Sequence, residues 1–180
     1  SVTSEGLDAL RAHLAAQAAA TQQRDGRGRF RLAIDRAFVL KGTGVVVTGT
    51  AHSGTVAIDD RLVLSPRGLD VRVRGLHAQN TAAERGAAGQ RCALNLSGAK
   101  LDKELVNRGD WLVAPELHSP TDRLDVELRV APHAGRPLQH WTPVHVHLGA
   151  ARITGRVAVL EGDALAPGAT GLVQLVLDAP

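Results

Sequence analysis

The chain contains no tyrosine, no methionine and a single cysteine, Cys92. One cysteine excludes an internal disulfide and a four-thiolate zinc site. Its aromatic residues are Phe30, Phe38, Trp111 and Trp141 alone. No apolar run approaches the ~18 residues of a membrane span. Ser1–Leu10 lacks the basic-then-apolar order of a signal peptide. With no initiator methionine, the 180 residues are expected to be a piece of a longer protein. What remains is 44% hydrophobic and 22% charged, the composition of a soluble, intracellular globular chain without a membrane partner. The length suits one large domain or two small ones. The 19 glycines point to many tight turns.

Charge is unevenly placed. Residues 1–119 hold 16 Lys+Arg against 12 Asp+Glu, whereas residues 120–180 hold 5 against 6. The densest basic stretch is Arg24, Arg27, Arg29, Arg31 and Arg36, with Lys41 beyond. A solvated linker and strand face accounts for it, and so does contact with the phosphates of a polyanion.

Periodicity predicts one helix followed by strands. From Ser4 to Ala20, Leu7, Leu10 and Leu14 fall at spacings of three and four, with Thr3 or Ser4 as cap. Thr21–Arg29 is polar and glycine-bearing, a linker signal. The period then changes to two. Phe30, Leu32, Ile34, Phe38 and Leu40 alternate, and short strands follow at 45–48, 62–64, 71–74, 91–96 and 111–113. Pro115, Ser119 and Pro120 mark a second boundary, after which strands recur at 124–130, 144–148, 153–160 and 172–177. The fold class is all-β: a barrel, a second partial barrel, and a short N-terminal helix.

One residue breaks the alternation. In a regular strand Arg36 would share a face with Phe30, Leu32, Ile34, Phe38 and Leu40, and Asp35 would point the other way. An arginine cannot shed its charge, so burial demands a partner. A β-bulge near Asp35-Arg36 would bring both side chains to one place; the alternative is an Arg36 that snorkels to water at a barrel rim. The glycines of Lys41-Gly42-Thr43-Gly44-Val45-Val46-Val47 do not form a phosphate loop. No Lys-Ser or Lys-Thr follows the last glycine, and a dinucleotide fingerprint would need glycine at Val47. Gly42 and Gly44 are read as a turn between strands. Cys92 alternates with Leu94 and Leu96 and is read as a packing residue. His145 and His147 share a strand face and with His140 could hold a metal, but a polar strand face is the default, and no metal site is assigned.

Gly42-Thr43-Gly44-Val45-Val46-Val47-Thr48-Gly49-Thr50 resembles the signature turn and strand of the second domain of translational GTPases of the elongation factor Tu class. Ala88-Gly89-Gln90-Arg91-Cys92-Ala93-Leu94-Asn95-Leu96 resembles a later strand of that domain, and Arg108-Gly109-Asp110-Trp111-Leu112-Val113 its closing strand. Phe30–Phe38 and Leu76-His77-Ala78-Gln79-Asn80 are similar to the selenocysteine-specific elongation factors, as are Val144-His145-Val146-His147 and Thr154-Gly155-Arg156-Val157 in their third domain. The resemblance implies three parts: residues 1–29 as the last helix and linker of a GTPase domain, 30–118 as the domain II barrel, and 119–180 as a truncated domain III barrel with an exposed edge. Ser1 and Val2 would be the remnant of a guanine-contacting loop.

Further expectations follow from that resemblance. The parent is a cytoplasmic GTPase that uses GTP and Mg, carries selenocysteinyl-tRNA to the ribosome, and reads a selenoprotein mRNA hairpin through a C-terminal extension. This stretch lacks the nucleotide-binding core, so no catalytic residue or cofactor is assigned to it. Asp35, Arg36 and Arg91 would form the pocket for the selenocysteine side chain. A selenol is more acidic than a thiol and is largely ionised at neutral pH, whereas the serine attached to the same tRNA is neutral. Guanidiniums favour the anion. Arg72, Arg74 and Arg156 are further candidates for contact with the tRNA backbone. Alternative readings are another elongation factor Tu-like tRNA carrier and the GTPase subunit of an ATP sulfurylase, which shares the two barrels.

Overall fold

The computed structural model describes residues 4–20 and 26–180. Thr3, Ser1, Val2 and Arg24, each singled out above, lie outside the described residues. Helix α1 (Leu7–Ala20) forms where the leucine stripe predicts it, but none of its residues is buried. Leu7, Leu10 and Leu14 face solvent. No helix among the described residues is long and apolar enough to cross a membrane.

Nine strands follow: β1 (Arg31–Leu40), β2 (Gly44–Ser53), β3 (Thr55–Ala57), β4 (Arg61–Ser65), β5 (Leu69–Ala78), β6 (Thr81–Ala82), β7 (Arg85–Ala87), β8 (Arg91–Ser97) and β9 (Trp111–Val113). Six of them close a barrel in the order β4-β9-β1-β2-β8-β5, with β5 pairing back onto β4. Each of these six strands therefore has a neighbour on both sides. Inward positions alternate with outward ones, so Leu32, Ile34, Val47, Leu64, Val73, Leu94 and Leu112 are fully buried in one aliphatic core. Cys92 belongs to that core, and burial pushes its thiol pKa up. Gly42 and Gly44 do form the β1–β2 turn, both with positive φ.

β1 departs from the regular alternation. Its pairing with β2 slips between Ile34 and Arg36, so Asp35 is the extra residue of a bulge. Beyond the bulge the phase inverts. Ala37 turns to the core, while Phe38 and Leu40, expected inside, lie 37% and 47% exposed on the outer wall.

The remaining strands are β10 (Arg123–Arg129), β11 (Leu138–Gln139), β12 (Thr142–Leu148), β13 (Ala151–Val159), β14 (Ala164–Leu165) and β15 (Thr170–Leu177). Four form an open sheet in the order β10-β15-β13-β12, and β11 pairs with β14. Its core centres on Val157, Val173 and Leu165. Leu124, Val126 and Leu128 on β10, and Val144 and Val146 on β12, are only half-buried. The outer edges of β10 and β12 have no strand beside them among the described residues. Such edges template pairing with another chain. We therefore expect residues 1–180, expressed alone, to self-associate in light scattering. A stable monomer at every concentration tested would refute this.

The two sheets meet through glycine turns. A Cβ at Gly149, which has φ +58°, would sit 2.9 Å from the Ala33 methyl and 3.1 Å from Trp111 Cζ2. One at Gly109, φ +98°, would sit 2.7 Å from Ala151 Cα. Gly149→Val adds left-handed strain and overpacking, each costing about 1–3 kcal/mol. It is expected to loosen the contact and speed protease cleavage between Leu117 and Thr121. Unchanged cleavage would mean the contact holds the sheets weakly.

Candidate functional site

The bulge in β1 sets the geometry of a charged niche on the outer wall of the closed barrel. Two residues of β1, Asp35 and Arg36, face one residue of β2, Thr48. Thr48 in turn pairs with Ala93 of β8, two positions from Arg91, so three strands converge here. Thr48 Oγ1 donates to Asp35 Oδ1 at 2.7 Å. Arg91 grips the same carboxylate with both terminal nitrogens, Nη2 to Oδ1 at 3.1 Å and Nη1 to Oδ2 at 3.0 Å. Arg91 Nη2 also donates to Thr48 Oγ1 at 3.3 Å, which closes a triangle. Two-point pairing of this kind fixes the guanidinium plane as well as its position.

The base of Arg91 is held from below. Gln79 N donates to the Arg91 carbonyl at 3.0 Å, and Arg91 N donates back to Gln79 Oε1 at 3.2 Å. Gln79 and Asn80 both have positive φ and form the tight two-residue turn that folds β5 back into β6. The Arg91 side chain nevertheless stays 51% exposed, against 26% for Asp35. Part of its donor edge is therefore open to a ligand. The Arg36 side chain lies exposed beside this triangle and makes no hydrogen bond or ion pair to a described residue. Asp35 neutralises one guanidinium and leaves the other, so the niche is net positive.

Two hollows adjoin it. A cavity of about 140 Å³ is lined by Thr48, Arg91, Cys92, His77 and Asn80. A groove of about 650 Å³ shares His77 and Ala93 with that cavity. Its walls are Phe38, Leu40, Val46, Ile58 and Leu76. Asn95 lies on its floor, with Oδ1 buried and lacking a hydrogen-bond partner among the described residues. The inverted phase beyond the bulge is what puts Phe38 and Leu40 here. One local irregularity thus builds both the charged niche and the apolar groove.

The expected residues fall into separate places. Asp35 and Arg91 touch, and Arg36 flanks the same threonine. Arg72 pairs with Asp59 at 3.0 Å, and Arg74 Nε donates to Ser97 Oγ at 2.9 Å, both toward the other end of β8. Arg156 lies on the second sheet beside His145 and Asp178. Arg29, from the basic stretch, pairs with Glu116 at 3.1 Å. Among the described residues no three His, Cys, Asp or Glu side chains are grouped to hold a metal ion. His140 Nδ1 accepts from Val159 N at 3.1 Å, and His145 Nε2 accepts from Arg152 at 3.2 Å. Thr48 was not singled out in the sequence, although it is central to the triangle.

Residues 44–113 match the family described as elongation factor Tu domain 2, and residues 121–180 match the selenocysteine-specific elongation factor β-barrel domain. The selenocysteine-specific elongation factor of Haemophilus influenzae is 46% identical over 180 residues, 99% of this chain and 27% of that protein. The corresponding factor of Escherichia coli is 46% identical over 175 residues, 97% of this chain and 26% of that protein. The chain thus spans about a quarter of the length of these relatives. A bacterial selenocysteine-specific elongation factor structure superposes with TM-score 0.76 at 25% identity, covering 98% of this chain and 28% of that one. The translation elongation factor SelB of Methanococcus maripaludis shares the fold, with TM-score 0.79 at 20% identity over 97% of this chain and 40% of that one.

Proposed function

The chain belongs to the selenocysteine-specific family of translation elongation factors, and we propose that its closed barrel grips the aminoacylated 3′ end of selenocysteinyl-tRNA for delivery to the ribosome. The observation that carries this reading is the Asp35–Thr48–Arg91 triangle with Arg36 beside it, opening onto an apolar groove. In this reading the selenolate enters the niche and the terminal nucleoside lies against Phe38, Leu40 and Val46. Asp35 and Thr48 hold the Arg91 fork in place, so little ordering is left to be done at binding. Arg36 contributes a second charge. A charge-assisted hydrogen bond is worth ~1.5–3 kcal/mol. A serine hydroxyl at the same place gains only the neutral form of that bond and leaves a donor poorly paired.

Residues 1–29, 30–118 and 119–180 then correspond to the end of a GTPase domain, domain II and part of domain III. GTP and Mg belong to the GTPase domain of the whole factor, where the nucleotide supplies the switch between tRNA-holding and tRNA-releasing states. The mRNA hairpin, the ribosome and the cytoplasm are the further partners and the setting of that whole factor. An ordinary aminoacyl-tRNA carrier has no use for the paired arginines.

The test is equilibrium binding of the full-length factor to selenocysteinyl- and seryl-tRNA of one sequence. At least tenfold tighter binding of the selenocysteinyl form is expected, one charge-assisted bond being worth a factor of ten or more. Equal affinity for the two would reject the proposed role.

A further inference from the structure

The hairpin that joins β5 to β6 turns on Gln79 and Asn80, with Ala78 facing Thr81. Both turn residues have positive φ, +51° and +65°. Asparagine and glycine fill such positions at little cost, and Asn80 conforms to that rule. Gln79 does not. A side chain kept in a backbone conformation that another residue would adopt more easily points to a use for that side chain.

The use lies across the sheet. The β5–β8 register runs from Arg72 opposite Ser97 to Ala78 opposite Cys92, so the next pair is Gln79 and Arg91. In a regular antiparallel ladder such a pair exchanges two backbone hydrogen bonds. The first of these is formed, Gln79 N donating to the Arg91 carbonyl at 3.0 Å. The left-handed turn begins at Gln79, and the second bond goes to its side chain: Arg91 N donates to Gln79 Oε1 at 3.2 Å. The glutamine amide thus stands in for a main-chain carbonyl and extends the ladder by one rung. Asparagine would suit the turn better, but its amide is one methylene shorter and falls short of Arg91 N.

That rung fixes where the Arg91 side chain starts. On the other side of β8, Arg91 faces Thr50, and Ala51 N donates to the Gln90 carbonyl at 2.9 Å. With β8 bonded on both sides at this point, the guanidinium reaches both oxygens of Asp35, at 3.0 and 3.1 Å. Two-point pairing depends on the position of its base. Gln79 is exposed and lines neither the cavity nor the groove, so its route to the niche runs through Arg91.

We propose that Gln79 is a positioning residue for selenocysteine recognition, whose side-chain oxygen sets the Arg91 fork by holding the Arg91 main chain. The inference rests on the reading of the niche as the selenocysteine pocket.

The experiment uses the full-length factor and compares equilibrium binding of selenocysteinyl- and seryl-tRNA to the wild type, Gln79→Asn, Arg91→Ala and the double variant. Gln79→Asn should melt no lower than the wild type, because asparagine accepts the left-handed turn and water replaces the lost acceptor at an exposed amide. Its preference for selenocysteinyl-tRNA should nevertheless fall about three- to tenfold, the worth of one neutral hydrogen bond. In the Arg91→Ala background the same change should alter the preference by less than about twofold, because the effect of Gln79 passes through the missing side chain. A general loosening of the barrel would instead lower the melting temperature, or cost the same factor with and without Arg91. Either result overturns the proposal, as does a Gln79→Asn protein that discriminates fully. If Arg91→Ala leaves the preference intact, the pocket assignment fails and takes this inference with it. If Arg91→Ala lowers the preference and Gln79→Asn does not, this inference fails alone.

Discussion

Arg91→Ala in the full-length factor is expected to reduce the preference for selenocysteinyl- over seryl-tRNA by about ten- to a hundredfold, the equivalent of one or two charge-assisted hydrogen bonds. The loss should fall almost entirely on the selenocysteinyl form. Removing the guanidinium deletes donors to the anion and also unmasks the Asp35 carboxylate, which then repels it. The neutral serine hydroxyl experiences neither change. Arg91→Lys should fall between the two, because an ammonium keeps the charge but cannot hold both oxygens of Asp35 in one plane. Arg36→Ala should weaken selenocysteinyl-tRNA binding less, and its effect should fade with added salt, since that side chain is exposed and has no ion-pair partner among the described residues. None of these changes should alter thermal stability by much. An ion pair as open to water as Asp35–Arg91 contributes at most about 1 kcal/mol. The check is the ratio of the two dissociation constants for each variant. If Arg91→Ala weakens both tRNAs equally, Arg91 holds the acceptor end in general and does not sense selenium.

Much of this arrangement is legible in the sequence, because β-strands declare themselves two residues at a time. The alternation in 30–34, 71–74, 91–96 and 124–130 places strands that the structure contains, whereas the misfit of Arg36 within β1 leaves open a bulge or an arginine snorkelling to water; the structure has the bulge, with Arg36 exposed. The consequence of the bulge was harder to read. A one-residue slip exchanges the two faces for every position that follows, so Phe38 and Leu40, which a regular period assigns to the core, wall an external groove. Thr48 could not be found from local pattern. Its importance comes from lying opposite both Arg36 and Ala93, a property of three strands far apart in sequence. The order β4-β9-β1-β2-β8-β5 is equally non-local, fixed by which edges meet when the sheet closes. The leucines of α1 announce a helix with one apolar face, yet the surface that would cover that face is not among the described residues.

Gly49→Ala is expected to destabilise the closed barrel strongly, and it tests the link between backbone shape and niche. Gly49 stands at an inward position of β2, opposite Ile34 just before the bulge and opposite Cys92 on the other side. A Cβ there would land on the carbonyl oxygen of Ala33 and within 2.7 Å of Leu32 Cδ2. A backbone carbonyl cannot rotate aside as a side chain can, because the surrounding ladder fixes it. Ile34 N donates to the Asp110 carbonyl and Gly109 N to the Ile34 carbonyl, both at 2.9 Å. Relief therefore requires β1 to move away from β2 at the position where the bulge aims Asp35 toward Arg91. A cost of about 3 kcal/mol is expected from overpacking of this kind. For a barrel of this size it lowers the melting temperature by roughly 12–24 °C. Gly135→Ala is the control, since a Cβ there meets nothing within 4 Å. At temperatures where the Gly49→Ala barrel remains folded, discrimination between selenocysteinyl- and seryl-tRNA should also fall, although no side chain of the niche has changed. Full discrimination in a folded Gly49→Ala protein would show that the niche forms without the close approach of β1 and β2, and that the bulge is held by other contacts.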